Sequence, residues 1–440
     1  MAEHDPQVYR AVAEAAWGWV RAQVRWDDGP WIPASAPAAA DATPAADRDG
    51  LHSGTAGLAH VLAEVRLSRP WSADEERLAG AVAERIRRGI PTATDATFFD
   101  GLTSAVGALT ALGVEGSEDA VARLTALAEP DGWPQQLIGA PRYAPDARVH
   151  DLTLGTAGVL LGALWARRAG AAGAEELAEH AADVLLAEAQ PAPDGLNWTW
   201  VPERYRIGDP FEMPNLSHGL AGIATALAVA GSELGRPDLV AAARLGAQHL
   251  VGLADRSGGG FVVQSSLPHT NPDRDLVTYT WCHGPTGTSL LFAALDHAEV
   301  PEVAGAAPDD WLRRCLHSVR TSGLPERLHP GFWDNDGQCC GTAGVGEVFL
   351  HSWQRSGEAG DLEFALDLAD GLVERAVREG PHAYWRFVEH RAEVPLLPPG
   401  VGWMQGAAGI AAFLFRAARV TENPPGAAVL ARMDTWWALA

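Results

Sequence analysis

Gly219-Leu220-Ala221-Gly222-Ile223-Ala224 opens an apolar run, and six near-copies of it are spread along the chain. They are Gly54-Thr55-Ala56-Gly57, Gly101-Leu102-Thr103-Ser104, Gly155-Thr156-Ala157-Gly158, Gly284-Pro285-Thr286-Gly287, Gly341-Thr342-Ala343-Gly344 and Gly406-Ala407-Ala408-Gly409. The second copy deviates, with Ser104 in place of the second glycine. Spacings between first glycines run from 47 to 65 residues, a period that belongs to repeat architectures. Each copy is followed by apolar residues at helical spacing, such as Leu58, Val61, Leu62 and Val65. Glycine at such a start admits a close neighbour and leaves backbone N–H groups facing whatever lies ahead of the helix. Between the starts lie more amphipathic stretches, at 72–88, 174–188 and 362–378 among others. The expected unit is therefore a helix pair. An open stack of pairs wants polar end repeats. The first and last copies are as apolar as the middle ones, so the ring closes on itself. The expected fold is all-α: an α/α toroid, a double α-barrel of seven inner and seven outer helices. One domain is expected over 1–440, with an opening helix (5–24) and an Ala/Pro-rich loop (30–46) in 1–50, and seven helix pairs in 51–440. The long loops 191–214 and 395–402 are expected around the mouth of the ring.

Two starts carry cysteine just ahead of the glycine: Trp281-Cys282-His283-Gly284 and Cys339-Cys340-Gly341. Three of the four cysteines thus share one phase in adjacent repeats. A lone cysteine is most often a small core residue, and Cys315 reads that way. Three that a ring can bring together read as a zinc site of Cys282, Cys339 and Cys340, with a fourth position open for catalysis. Cys339 and Cys340 are poorly placed to bond each other.

His218 stands directly before Gly219, at the same phase, and its titration range suits a general acid or base. Asp151, four residues before Gly155, could orient His218 or act on its own. His283 has three readings: an active-site acid or base, a cavity wall, or a further metal ligand that closes the site. Asp100, Asp334 and Asp336 read as caps or turns. Trp281, Trp333, Trp385 and Trp403 are candidates for the cavity wall, although many of the 17 tryptophans must fill core.

The 440 residues are 47% hydrophobic and 20% charged, enough apolar material for an extensive core. Net charge is −23, and all 33 basic residues are arginine. A surface of that sign repels polyanions, so no nucleic-acid partner is expected. Without lysine there is no Walker P-loop and no Schiff-base chemistry. Four cysteines make no disulfide framework. No basic start leads into an apolar run, and no apolar stretch reaches about 18 residues. A cytoplasmic protein without stable membrane insertion is expected.

These motifs together resemble the LanC family, the lanthionine cyclases of lanthipeptide biosynthesis, from about Gly54 to Phe415. The resemblance implies the double α-barrel with one zinc ion at its mouth. The family's two zinc cysteines fall on Cys282 and Cys339. Its third ligand, commonly histidine, falls on Cys340. Its catalytic histidine matches His218 and its aspartate Asp151. Many members carry tyrosine and arginine where this chain has His283 and Thr278. The implied reaction adds a peptide Cys thiolate to dehydroalanine or dehydrobutyrine and closes a (methyl)lanthionine thioether ring. The implied partners are a dehydrated precursor peptide and, since the first repeat begins near residue 50, a separate dehydratase.

Three other functions compete. A zinc enzyme adding an external thiol such as glutathione to dehydroamino acids would use the same site. A non-catalytic, peptide-binding toroid would hold zinc structurally, by four protein ligands. A sugar enzyme pairing Asp100 with Asp151 would leave the cysteines without a role.

Overall fold

The computed structural model describes residues 4–39, 41–135, 137–270, 275–326, 335–388, 396–424 and 426–439. Among them, fourteen α-helices alternate between two concentric layers. The inner layer is α2 (Thr55–Ser68), α4 (Leu102–Leu112), α6 (Thr156–Arg168), α8 (Leu220–Leu234), α10 (Pro285–His297), α12 (Thr342–Ser356) and α14 (Ala407–Glu422). The outer layer is α1 (Pro6–Ala22), α3 (Ala73–Gly89), α5 (Ser117–Leu127), α7 (Ala174–Ala187), α9 (Pro237–Leu253), α11 (Pro308–Arg320) and α13 (Ala359–Arg375). Each inner helix packs on the next, and α14 packs on α2, so the inner ring closes. Inner helices are apolar almost all round, as a helix walled on every side must be. In α8 every residue from Leu220 to Gly231 is buried.

One expectation is corrected at the seam. The seventh pair does not lie within 51–440, because the outer partner of α14 is α1. Tyr9 Oη donates to Asp370 Oδ1 on α13 at 2.6 Å, Arg10 pairs with Glu422 on α14, and Trp17 Nε1 donates to Glu75 on α3 at 2.7 Å. The amphipathic face of α1 finds its apolar partner only once the last inner helix is in place.

The paired glycines make the joints. A Cβ at Gly222 would lie 2.0 Å from the Leu216 carbonyl oxygen and 3.1 Å from Leu152 Cβ of the preceding repeat. At the seam, a Cβ at Gly57 would lie 2.7 Å from Leu51 O and 2.7 Å from Trp403 Cβ. The seam joint therefore copies the internal ones. The N–H groups that open the helices are turned inward on their own loops rather than toward a ligand. Thr156, Ala157 and Gly158 donate to the carbonyls of Val149, His150 and Asp151, and Thr342, Ala343 and Gly344 to those of Asn335, Asp336 and Gly337. Each loop thus curls back seven residues and presents the two residues before its glycine to the ring axis.

At the mouth, loop 30–46 is tied to loop 395–402 by Ala36 N to Pro399 O (3.0 Å) and Val401 N to Ala34 O (3.1 Å). Strands are confined to short antiparallel hairpins among the described residues. The bore itself is filled from the other end by the tail. Met433 packs on Gly107 of α4, Trp436 on Trp165 of α6, and Trp437 Nε1 donates to Leu290 O of α10 at 3.4 Å. Arg432 lies over the Trp403 ring at 5.5 Å and 3.8 Å from Glu347, which also pairs with Arg416. Met433, Thr435, Trp436 and Trp437 are all buried.

Candidate metal centre

The loop curl has a direct consequence for the site. A cavity of about 310 Å³ is lined from all seven repeats, almost wholly by the two residues before each helix-opening glycine. His52, Phe99 and Asp100, Thr153 and Leu154, Ser217 and His218, Cys282 and His283, Cys339 and Cys340, and Met404 and Gln405 meet there, with Trp281.

Residues 58 positions apart, Cys282 and Cys340, bring their sulfurs to 3.5 Å, and Cys339 Sγ lies 3.4 Å from Cys340 Sγ. All three ligand atoms fall within 4.8 Å of one another and could hold a metal ion. Thr280 Oγ1 is 3.5 Å from Cys282 Sγ, and Gln405 Nε2 is 3.9 Å from Cys340 Sγ. Burial opposes charge on Cys282, but hydrogen bonds from the Cys339 and Cys340 thiols hold it well below the ordinary thiol range. Its charge in turn pushes up Cys339, and burial pushes up Cys340. A buried thiolate clasped by two thiols is a donor set that suits a soft cation. Cys315, by contrast, is buried in α11 among core residues.

His218 Nδ1 lies 2.7 Å from Asp151 Oδ2 and 2.9 Å from Thr153 Oγ1. Asp151 is fully buried, and its second oxygen accepts from the Leu154 N–H at 2.6 Å. With Nδ1–H given to Asp151, Nε2 is left as the basic nitrogen of a ring that is one-quarter exposed. The Trp200 indole meets this ring edge-on at 5.8 Å, and the His283 ring lies 5.6 Å away on the cavity wall.

The remaining expectations divide. Trp281 lines the cavity. Trp403 stands beneath it, against Arg432, and Trp385 is core of the outer layer, donating to Leu372 O at 2.8 Å. Asp336 holds Arg375 of α13 at 2.8 Å, a structural clamp. Trp333 and Asp334 lie outside the described residues. Thr278 is buried and does not line the cavity. Asp100 is more than a cap: it faces the sulfurs' cavity, and its Oδ1 is buried without a hydrogen-bond partner. The available signal was position, since Asp100 precedes Gly101 as His218 precedes Gly219.

A sequence model of lanthionine synthetase C-like proteins matches residues 45–425. The chain belongs to that family. This lanthionine synthetase C-like chain is similar in structure to nisin cyclase, with a TM-score of 0.58 and 14% identity over 94% of each chain. It is also similar to a GH76 α-mannanase from Bacteroides thetaiotaomicron, with a TM-score of 0.50 and 11% identity over 94% of this chain and 98% of that one. At these identities the two structures attest the toroid alone. No curated protein sequence matches this lanthionine synthetase C-like chain. Among its described residues no helix is long and apolar enough to cross a membrane.

Proposed function

We propose that this chain is a zinc-dependent lanthipeptide cyclase that closes thioether rings in a dehydrated peptide. The observation that carries the reading is one cavity holding three clustered sulfurs and His218, which the buried Asp151 backs from behind the wall. Cys282, Cys339 and Cys340 would hold the ion. Held by these three sulfurs, zinc would supply the Lewis acidity that lowers the pKa of a substrate thiol. His218 Nε2 takes the thiol proton, and Asp151 fixes the tautomer and steadies the imidazolium. The sulfur attacks Cβ of a dehydroalanine or dehydrobutyrine, and a proton returns to Cα. His283 and Trp281 wall the space in which the peptide folds back on itself. The substrate's alkene calls for a separate enzyme that dehydrates serine and threonine.

The test is incubation of the zinc-loaded chain with a dehydrated peptide bearing one cysteine, followed by thiol labelling and mass spectrometry. Loss of the labelled thiol at unchanged peptide mass is ring closure. With glutathione present, an adduct formed in place of the ring would move the assignment to an external thiol. An unaltered peptide, together with a fourth protein ligand on the zinc, would make the toroid a binding protein.

A further inference from the structure

Ring closure needs two proton transfers: one off the sulfur and one onto the α-carbon. The His218–Asp151 pair is built for the first. Asp151 is fully buried, bonded to His218 and to the Leu154 N–H, and does not line the cavity, so it does not reach the α-carbon. The cavity holds a different carboxyl. Asp100 enters it from the second repeat, at the position that His218, His283 and Cys340 occupy in theirs.

We propose that Asp100 is the acid that delivers the proton to the substrate's α-carbon. The inference rests on the cyclase reading above and adds a residue to it. Its chemistry is set by what closes over it. The loop bearing Gly50 packs so tightly that a Cβ there would stand 2.6 Å from Asp100 Oδ1 and 2.8 Å from its Cα. That lid buries Oδ1 and leaves it without a partner. An orphaned carboxylate oxygen is costly, and protonation relieves it. The charged groups around Asp100 are Asp47 and Asp95, both acidic, so they too disfavour its charged form. The His52 backbone N–H pulls the other way. Burial first, then Asp47 and Asp95, push the carboxyl up to about 7, where it can donate at neutral pH. The remaining ionisable groups of the cavity are His52, His218, His283 and the three cysteines across it. A second cavity, of about 600 Å³, shares Asp100 as a wall and is lined by Asp47, Asp49 and Asp95. Asp100 can therefore be reprotonated from behind while substrate fills the space in front.

The transfer balances. The S–H proton goes to His218 Nε2, and the sulfur forms its bond to Cβ. The alkene π pair moves onto Cα and the adjoining carbonyl, and the Asp100 O–H proton is transferred to Cα. His218 is left with one proton more and Asp100 with one fewer, and exchange with solvent resets both.

The test compares full-length wild type, Asp100→Asn and Asp100→Glu, zinc-loaded, on the dehydrated peptide. The acid works when protonated, so Asp100 gives the wild-type rate an alkaline limb that falls as pH rises through about 7. In D100N the rate drops by about 100-fold or more, the alkaline limb is lost, and zinc content and peptide affinity hold. The α-carbon, a single epimer from wild type, becomes mixed as water replaces Asp100. D100E recovers part of the rate and the single epimer. Without substrate, the infrared difference between wild type and D100N shows a protonated carboxyl that titrates near pH 7. Unchanged rate, limb and epimer in D100N would overturn the proposal while leaving the cyclase reading intact, as would a carboxyl that titrates in the ordinary range. A wild type that forms no ring would overturn both.

Discussion

Metal binding at the sulfur cluster carries a proton count. In the metal-free cluster Cys282 is the sulfur disposed to ionise, and Cys339 and Cys340 are disposed to keep their protons. Cys282 lies well below the ordinary thiol range because two thiols donate to it against the opposition of burial. Cys339 is pushed up by its bond to the Cys282 sulfur, and Cys340 by burial. Binding as three thiolates makes Cys339 and Cys340 release protons that they are disposed to keep, while Cys282 is disposed to have given its own up already. Zinc uptake should therefore liberate about two protons per ion. Protons are products of binding, so affinity rises with pH, about 100-fold or 2.7 kcal/mol per unit. The window runs from the lowered value of Cys282 to the raised values of its two neighbours. Below it the slope steepens as Cys282 also protonates; above it the slope flattens. Calorimetric titration with zinc, repeated at pH 7 in buffers of different ionisation heat, gives the count directly. Three protons would mean that Cys282 is an ordinary thiol and the clasp is absent. None would mean that all three sulfurs are already ionised, which their burial does not permit.

Two further outcomes test other parts of the molecule. His218→Ala and Asp151→Asn should each slow single-turnover ring closure by about 10²–10⁴-fold, and together by no more than the worse of the two, because they act as one unit; multiplicative losses would separate them. In the bore, Glu347→Gln takes the carboxylate from buried Arg416, which keeps neutral hydrogen-bond partners such as Gln354, while buried Arg432 keeps Asp434 at 3.2 Å. Removing one partner of a buried pair costs about 3–5 kcal/mol. At about 2.1 cal/mol/K per residue, that lowers Tm by roughly 3–6 °C for a chain of 440 residues. An unchanged or higher melting temperature in a calorimeter would show that the bore charges are not held together by Glu347.

The repeat was legible because each joint between inner helices demands the same two small residues, as at Gly222 and Gly57. The sulfur cluster was legible for a related reason: repeats place equal phases at equal depth, so adjacent cysteines converge. Other features depend on chain far from the residues in question. Nothing within 5–24 marks α1 as the partner of α14, since an amphipathic helix does not name the surface it covers. The sequence of Asp100 reads as a cap, and its environment comes from Gly50, Asp47 and Asp95 on other segments. Within 426–439 the apolar Val429, Leu430, Met433, Trp436 and Trp437 recur at helical spacing, but that spacing does not say which surface they cover, so the burial of Met433, Trp436 and Trp437 in the bore is a property of the space left by the inner ring. Asp151 and Asp100 stand four residues and one residue before their glycines, and it is the Leu154 N–H and the Gly50 loop that give each its surroundings.

The tail that fills the bore turns the toroid into a cup. A peptide cannot be threaded through it and must enter and leave by the same rim. On the cyclase reading, a substrate with several rings is then handled in separate visits: each segment is dipped in, stapled and lifted out. The order of stapling follows from which segment next bends to the floor, not from its place along a passing strand. Such an enzyme works as a stamp rather than as a die through which wire is drawn.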